Sequence, residues 1–314
     1  MSDPANEPPD DPANDAVARL LGRCRFPPAG TDVTCAVSGG PDSLALLVLA
    51  VAAGCRVTAV HVDHGLRPDS AGEADVVAAA AARFGARFEA RRVRVRPGPN
   101  LEARARTARY QALPPGSLTG HTADDRAETV LINLMRGAGL DGLAPMADWG
   151  RRPLLALRRA DTTALCRALG VEAVDDPSHA DPALVRNRVR HEVLPLLGEV
   201  AGRDVVAVLA RQVDVLAADG NLLDELAGGL DPTDARALIG APAPLAHRAI
   251  LAWLRAGPEQ HPPDAATVER VLVVARGDRR GTEVGGGRRL RRSAGRLVLD
   301  AAPSSAATFS PDGK

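Results

Sequence analysis

The sequence predicts an α/β fold, with a parallel sheet covered by helices on both faces, followed by a second, mostly helical domain. Two observations predict it. Apolar strands alternate with helical segments between about residues 31 and 134, at the spacing of βαβ units. Long Ala-, Val- and Leu-rich helical segments replace this alternation after about residue 198. Hydrophobic residues make up 45% of the chain but aromatic residues only 2%, so we expect a core of Ala, Val and Leu.

Four strands and four helices are predicted in the first half of the chain. Residues 31–37 and 56–62 are apolar runs of strand length, and residues 86–95 and 117–119 complete the predicted sheet. Helices are predicted over residues 43–53, 70–84, 101–111 and 124–134. Because parallel strands need a crossover between them, usually a helix, this order of elements predicts a parallel sheet.

Helical periodicity dominates the second half. Helices are predicted over residues 161–169, 204–226, 243–255 and 264–276, and a further helix begins at RNRVRHEVLPLL (186–197) and is interrupted by Pro195. The stretch GTEVGGGRRLRRSAGRLVLD (281–300) alternates and turns on glycines, as a β-hairpin does. The predicted divisions are a disordered N-terminus (1–14), the α/β domain (15–200), a helical domain ending in the hairpin (201–302) and a flexible tail (303–314).

Positive charge is clustered although the formal net charge is zero. Nine arginines lie between residues 83 and 109, and eight lie between residues 276 and 296. Each run is either a solvated face or a surface for phosphate groups, and the sequence leaves both interpretations open.

Cysteine usage and hydropathy exclude several classes of protein. Cys24, Cys35, Cys55 and Cys166 form no CxxC pair and have no histidine cluster beside them, so a structural zinc or iron–sulfur site is not expected. No uncharged apolar run reaches about 18 residues, so no membrane span is predicted. The acidic, Pro-rich N-terminus is unlike a signal peptide. These features predict a cytoplasmic protein.

The stretch SGGPDS (38–43) lies between the first predicted strand and the first predicted helix. Gly39 and Gly40 leave room for a bulky anion, and backbone N–H groups at a helix start have no intrahelical partner. Ser38 and Ser43 add hydroxyl donors. This combination predicts a phosphate-binding loop, although the Walker pattern GxxxxGKS/T is absent. A capped strand–helix turn without a ligand is the alternative.

Asp42 stands beside the predicted phosphate site. A carboxylate there would repel phosphate unless a cation lay between them. We therefore expect Asp42 to contact Mg²⁺, directly or through water.

Polar residues also follow the second and fourth predicted strands, at the sheet edge where such folds bind ligands. AVHVDHGLRPDS (59–70) contains Asp63 and His64, and GHTADDRAET (120–129) contains His121. Routine hydrogen bonding in loops is the alternative for His61 and His64.

Asp125 and Glu128 are three residues apart in GHTADDRAET and share a helix face. This pair either favours the helix dipole or receives a cation. Packing of the helix through Leu131, Leu134 and Met135 is expected to leave the two carboxylates at the mouth of the cleft.

Arg186, Arg188 and Arg190 occupy alternate positions around Asn187. On a helix they would point to more than one side, which suits phosphate or a polyanion. The alternative is a solvated basic helix.

Together these stretches resemble the tRNA(Ile)-lysidine synthetase family of PP-loop ATP pyrophosphatases. The resemblance covers roughly residues 33–197 and includes ARARTARY (103–110), RGAGLDGL (136–143) and RPLL (152–155) in family order. Thr122, Arg126 and His179 stand where the family usually has His, Gln and Asn. The chain resembles a short form of the family, whose long members carry a further C-terminal domain.

The resemblance implies a Rossmann-like PP-loop domain, related to adenine nucleotide α-hydrolases, that uses ATP and Mg²⁺. It implies ligation of free L-lysine to C2 of the wobble cytidine of tRNA(Ile) with a CAU anticodon. The tRNA is adenylated first, pyrophosphate leaves, and the lysine ε-amine then displaces AMP. The product reads AUA instead of AUG.

The resemblance also implies roles for individual residues. The expected catalytic residues are Asp42, Asp63, Asp125 and Glu128. The expected ATP-binding residues are Ser38, Gly39, Gly40, Pro41, Asp42, Ser43, His64 and His121. Asp125 and Glu128 are expected to bind lysine, and Asp42 to bind Mg²⁺. The expected tRNA-binding residues are Arg104, Arg106, Arg109, Arg186, Arg188 and Arg190.

Three rival functions fit parts of the same pattern. A PP-loop tRNA thiolase would need paired catalytic cysteines or a CxxC cluster site, and neither is visible. A small-molecule ligase of the NAD or GMP synthetase kind would not need the downstream arginines. A non-catalytic tRNA-binding protein would not need the loop at residues 38–43 together with Asp125 and Glu128.

Overall fold

A four-stranded parallel sheet forms the centre of the first part of the chain. In this computed structural model, residues 12–63, 65, 70–93, 101–174, 181–256 and 263–300 are described. The strands are β1 (Asp32–Ala36), β2 (Arg56–Asp63), β3 (Arg87–Arg92) and β4 (Leu118–Thr119). Their spatial order is β3-β2-β1-β4, and every pairing is parallel. The predicted α/β class is confirmed.

Seven helices accompany the sheet in the described residues up to 174. They are α1 (Pro12–Leu21), α2 (Pro41–Ala52), α3 (Ser70–Arg83), α4 (Leu101–Ala112), α5 (Ala123–Met135), α6 (Leu140–Leu143) and α7 (Arg159–Ala168). Helices α2 to α5 and α7 correspond to predicted helices. Helices α1 and α6 were not predicted, and α1 begins within the segment expected to be disordered; residues 1–11 of that segment lie outside the described part.

Both faces of the sheet carry apolar core. Val57 and Ala59 of β2 pack on the side of α2, whereas Val60 and Val62 pack on the opposite side with Leu113, which follows α4. Alternation along β2 produces these two sets, since successive side chains point to opposite faces of a sheet. Helix α2 is almost entirely enclosed, because six of its Ala and Leu side chains have no exposed surface. The base of the loop at residues 38–43 is thus fixed by the most deeply buried helix.

A continuous helical segment follows residue 184 and contains one irregular turn. It consists of α8 (Val185–Arg188), a π-helical turn (Val189–Val193) and α9 (Leu194–Ala201), after which comes α10 (Val205–Gly228). The sequence predicts that Pro195 interrupts this helix, but the helical segment continues through Pro195. Pro195 lies in the first turn of α9, where its missing N–H is tolerated, and the wide turn before it accommodates the ring.

The chain divides into two units, Met1–Leu216 and Ala217–Lys314, and α10 crosses from one into the other. The second unit contains α11 (Ala235–Gly240), α12 (Ala243–Arg255) and α13 (Ala265–Arg276). It ends in an antiparallel sheet of β5 (Gly281–Glu283), β6 (Arg289–Ser293) and β7 (Arg296–Asp300), in that spatial order. The expected hairpin corresponds to β6 and β7, and β5 adds a third strand.

The core of the second unit joins its helices to its sheet. Ile250 of α12, Val271 of α13 and Leu290 of β6 have no exposed surface. The expected flexible tail, 303–314, lies outside the described part. Among the helices that are described, none combines the length and hydropathy needed to cross a membrane.

Candidate functional site

The loop at residues 38–43 lies at the carboxyl edge of the parallel sheet, directly after β1. The strand order reverses there, because β2 and β3 lie on one side of β1 and β4 lies on the other. Ligands of open α/β sheets bind in the crevice at such a reversal. Gly120, one residue after β4, approaches the loop so closely that a Cβ on it would lie 2.5 Å from the carbonyl oxygen of Asp42.

Gly39 is required by the backbone of the loop, whereas Gly40 has an extended conformation that other residues can adopt. Gly39 has φ +91°, and a Cβ there would lie 2.9 Å from a Val174 methyl group. Gly40 is the N-cap of α2. The Ser43 hydroxyl is internal to the loop: it accepts from the Ser38 N–H at 3.1 Å and donates to the Gly40 carbonyl at 2.8 Å. Ser43 therefore shapes the loop.

The loop presents backbone N–H groups without protein partners. Within the described part of the chain, no residue accepts a hydrogen bond from the N–H of Gly39, Gly40 or Asp42. These groups lie at the positive end of the α2 dipole. An unpartnered row of N–H groups at a helix N-terminus is suited to bind an anion, and phosphate is a common one.

Asp42 connects this loop to α7. The Thr162 hydroxyl donates to Asp42 Oδ1, and Arg159 Nε lies 3.4 Å from Asp42 Oδ2. Burial raises the pKa of Asp42 to about 6, against the opposing effects of Thr162 and Arg159, with neighbouring Asp125 and Asp124 adding to the rise. At neutral pH the Asp42 carboxylate is therefore charged, and its burial makes this charge unfavourable for the stability of the folded state.

Arg159 is the centre of a group of three carboxylates and three guanidinium groups. Its Nη2 lies 3.1 Å from Asp125 Oδ1, and its Nη1 lies 3.1 Å from Glu128 Oε1. We call this group the Arg159 cluster, and its members are Asp42, Asp125, Glu128, Arg159, Arg186 and Arg190. Because the charges of the three acids and three bases cancel, the cluster is electrically neutral when all six are ionised.

Glu128 is completely buried, so the expectation that it lies at the mouth of a cleft is wrong. Arg186 Nε and Arg190 Nε each donate to it at 2.7 Å, and Arg159 donates at 3.1 Å. The expected packing of α5 is also wrong in part, since Leu134 and Met135 are 56% and 61% exposed. The helix is held by ion pairs on its acidic side and not only by apolar contacts.

Asp125 stabilises the start of α5 in addition to its ion pair in the Arg159 cluster. Its Oδ2 accepts from the Thr122 N–H at 2.9 Å and from the Thr122 hydroxyl at 3.1 Å, which closes the first turn of α5. Burial opposes its charge, but Arg159, His121, the Thr122 N–H and Arg186 together hold the pKa of Asp125 below its usual range. Asp125 is therefore a weak proton acceptor.

The three arginines of RNRVR do not all lie on the same face of the helix. Arg186 and Arg190, four residues apart, both contact Glu128, and their expected role in tRNA binding stays a prediction. Arg188 points outward, is 61% exposed and pairs with Glu192 at 2.9 Å. Of the other arginines expected to bind tRNA, Arg104 and Arg109 are half-buried on α4, and the side chain of Arg106 lies outside the described part.

Two other predicted site residues lie at or just after the ends of the strands β2 and β4. Asp63 ends β2, accepts from the Gly65 N–H at 2.7 Å and lies 3.4 Å from Arg92 Nε. The ring nitrogen Nδ1 of His121 lies 2.8 Å from the Thr119 hydroxyl. His64 and His179 are outside the described residues.

Two positions that depart from the family pattern have structural roles. Thr122 is fully buried and caps α5. Arg126 is 1% exposed and pairs with Asp214 of α10 at 2.6 Å. Neither side chain has a described contact with Glu128.

Sequence reasoning missed the contribution of the start of α7. Arg158 Nε contacts Asp124 Oδ2 at 3.1 Å, Arg159 joins the cluster, and Thr162 contacts Asp42. The doubled arginine before a predicted helix was visible in RRPLLALRR (151–159), but its partners lie some 30 to 120 residues away. No group of three or more His, Cys, Asp or Glu in the described ranges is arranged to hold a metal ion.

Comparison with known proteins agrees with this geometry. Residues 14–197 match the family model described as a PP-loop domain. The tRNA(Ile)-lysidine synthase of Nocardia farcinica is 44% identical over 83% of this chain and 88% of its own length. That of Thermobifida fusca is 40% identical over 91% of this chain and 96% of its own.

A solved structure shares the fold at low identity. The U34-tRNA thiolase NcsA from Methanococcus maripaludis is 17% identical, with a TM-score of 0.50 over 65% of this chain and 78% of that one. This likeness supports the fold alone. The family match and the two relatives carry the assignment, and the chain belongs to the tRNA(Ile)-lysidine synthase family of PP-loop, ATP-utilising proteins.

Proposed function

We propose that this protein ligates free L-lysine to C2 of the wobble cytidine of tRNA(Ile) with a CAU anticodon, at the expense of ATP. The observation that carries the proposal is the loop at residues 38–43, whose unpartnered N–H groups lie beside Asp42 and the Arg159 cluster in a chain of this family. The cytosine O2 attacks the α-phosphorus of ATP and pyrophosphate leaves. The lysine ε-amine then attacks C2, and AMP leaves with the former O2.

The loop supports the first step by stabilising the leaving group. Pyrophosphate carries concentrated negative charge, which the N–H groups of Gly39, Gly40 and Asp42 and the α2 dipole would offset. These amides are fixed by the buried helix α2, so little reorganisation is needed during the reaction.

One side chain of this site, that of Asp42, is suited to bind Mg²⁺. Such an ion is commonly held by one or two carboxylates together with phosphate oxygens and water, and Asp42 is a carboxylate residue of the loop itself. When bound, Mg²⁺ would neutralise charge on the phosphates. Burial is the largest cause of the raised pKa of Asp42, and a cation bound at this carboxylate would lower that pKa.

Lysine binding is proposed at Asp125 and Glu128, next to a cavity of about 230 Å³. Asp124 and Asp204 line this cavity together with Arg190 and Arg203, and Glu128 borders it without exposed surface, so the cavity offers both signs of charge to an amino acid zwitterion. Since Glu128 already contacts three guanidinium groups, the substrate ammonium must displace one of them. Asp125, with its low pKa, would hold the ammonium and would not remove its proton.

The decisive test is the mass of tRNA(Ile) after incubation with ATP, lysine and this protein. We expect a gain of one lysine residue at the wobble position, and pyrophosphate release that requires tRNA but precedes lysine addition. Release that required lysine and not tRNA would replace the proposal with a small-molecule ligase.

The pKa values of the four cysteines do not favour the thiolase alternative. Burial raises the pKa of Cys24 to about 12 and that of Cys166 to about 11, and it raises the pKa of Cys35 and Cys55 as well. Since the thiolate is the reactive form, these four cysteines are poor nucleophiles.

Gly120→Ala should weaken ATP binding by about 10-fold or more. The added Cβ would lie 2.5 Å from the Asp42 carbonyl oxygen, so the first turn of α2 and the loop amides must shift. Calorimetric titration with a non-hydrolysable ATP analogue measures this. Gly72→Ala is the control, because nothing lies within 4 Å of that position, and equal affinities for both variants would contradict the proposed loop geometry.

Arg188→Gln should lower the salt dependence of tRNA binding by about one unit of slope, as loss of one phosphate contact does. Arg188 is the outward-facing member of RNRVR, and its partner Glu192 is itself half-exposed. Affinity is measured across a series of salt concentrations. An unchanged slope would place Arg188 outside the tRNA-binding surface.

A further inference from the structure

A second cavity, of about 520 Å³, adjoins the cavity of the proposed lysine site and shares Arg158, Arg203 and Asp204 with it. We call it the Trp149 cavity; its wall includes Trp149, Arg126, Leu155, Ala207, Arg211 and Asp214. Its volume is within the range of small-molecule sites, and it lies within the first unit. The proposed ligation does not use it.

Positive charge prevails in the wall of this cavity. Five guanidinium groups line it against the two carboxylates of Asp204 and Asp214. Arg158 pairs with Asp204, and Arg126 pairs with Asp214. In the described ranges, Arg203 and Arg211 have no carboxylate partner, so the cavity has positive charge available for an anion.

Arg126 adds a buried donor to the wall. Its side chain is 1% exposed, yet its Nε has no hydrogen-bond partner. Buried donors are nearly always satisfied, and an exception requires an explanation. Trp149 lies beside Arg126, with the guanidinium carbon 5.6 Å from the ring centroid.

Trp149 supplies an aromatic surface in a chain that has few. The sequence contains two Trp, one Tyr and four Phe. The Arg25 guanidinium stacks on the Trp149 ring at 4.0 Å from the centroid, which fixes the ring orientation. An aromatic ring beside arginines is the usual combination for binding a nucleotide, with the base stacked and the phosphate paired.

We propose that the Trp149 cavity binds a nucleotide of the RNA substrate other than the cytidine that is modified. Its base stacks on Trp149, and its phosphate contacts Arg211, which lines this cavity but not the proposed lysine cavity. The proposal rests on the proposed function for the identity of the RNA. A free nucleotide presents the same chemistry, and the experiment separates the two sources.

The experiment follows the fluorescence of Trp149 in the full chain carrying Trp253→Phe, which removes the other tryptophan. We expect saturable quenching by an RNA of the tRNA(Ile) anticodon stem–loop, and no such quenching by AMP or ATP. Arg211→Ala should raise the Kd for this RNA by about 10-fold. Arg167→Ala, which removes an exposed arginine of α7 outside the cavity wall, should change it less than twofold.

Three results would overturn the proposal. They are quenching by AMP or ATP in place of RNA, no quenching by either, and equal effects of Arg211→Ala and Arg167→Ala. The fluorescence reports RNA binding whether or not lysine is transferred. Quenching by RNA without any gain in tRNA mass would therefore refute the proposed function and leave the nucleotide site standing.

Discussion

Asp42→Asn should nearly abolish tRNA-dependent pyrophosphate release and at the same time make the protein harder to unfold at neutral pH. The two effects have one cause. Asp42 holds a negative charge in a largely buried position, where its pKa is raised to about 6 from 3.8. The charge is costly to the fold, and the proposed reaction needs it to hold a cation at the phosphates.

The loss of activity is expected to reach about 100-fold or more, the size seen when one preorganised electrostatic contact is removed. Asn keeps the shape of the side chain and an oxygen for the Thr162 hydroxyl. The variant therefore tests the charge of Asp42 and not its volume.

The gain in stability follows from linkage. The folded state binds more protons than the unfolded state between pH 3.8 and about 6, so the free energy of unfolding falls as pH rises through that window. The cost is fully present above about pH 6. A shift of this size corresponds to roughly 3 kcal/mol at most, and solvent access to Asp42 reduces it to about 1–2 kcal/mol.

Thermal unfolding at pH 7.5 and at pH 5 measures the second effect. We expect Asp42→Asn to raise Tm by roughly 2–8 °C at pH 7.5 and by less at pH 5. Asp75→Asn, which changes an exposed carboxylate on α3, should alter neither Tm nor pyrophosphate release. A variant that keeps pyrophosphate release would show that Asp42 holds no essential cation.

Local pattern was sufficient to predict the parallel sheet. Apolar strands such as β1 and helices such as α5 are encoded by residues next to one another, so their bounds differ from the predicted ones by one or two residues. The short elements were missed because few residues define them. Strand β5 has three residues, and three glycines in the turn after it lead back into its antiparallel partner β6.

The positions of the phosphate loop and of the acidic pair were also predictable, but the burial of Glu128 was not. A Glu three residues after an Asp on a first turn resembles a solvated capping arrangement. Its actual partners, Arg159, Arg186 and Arg190, are 31, 58 and 62 residues away. Only the tertiary fold brings these guanidinium groups onto one carboxylate.

Glu128→Gln should separate the two half-reactions. In the wild-type protein the Arg159 cluster is neutral, because three carboxylates offset three guanidinium groups. Gln leaves one excess positive charge beside the proposed lysine site and repels the substrate ammonium. We expect lysine transfer to fall by about 100-fold or more. Pyrophosphate release should fall by less than about 10-fold, since Glu128 has no described contact with the loop at residues 38–43.

Glu128→Ala is a poorer test of function but a good test of the cluster. Removing the Glu128 carboxylate leaves three partly buried guanidinium groups without their shared partner. The free energy of unfolding should therefore fall by about 3 kcal/mol or more. The corresponding fall in Tm is about 6–12 °C, so loss of activity in this variant would partly reflect unfolding. Gln retains the side-chain volume and should lose less.

Glu192→Gln is the matched control, because Glu192 is also paired with an arginine of RNRVR but is half-exposed. It should leave both half-reactions within about twofold, as exposed ion pairs contribute little. Single-turnover assays resolve adenylation from lysine transfer, and thermal unfolding confirms that each variant is folded at the assay temperature. If a folded Glu128→Gln protein lost both half-reactions equally, Glu128 would organise Arg159 for the nucleotide step. The ammonium would then have to be bound elsewhere, with Asp124 and Asp204 as the remaining carboxylates of the adjoining cavity.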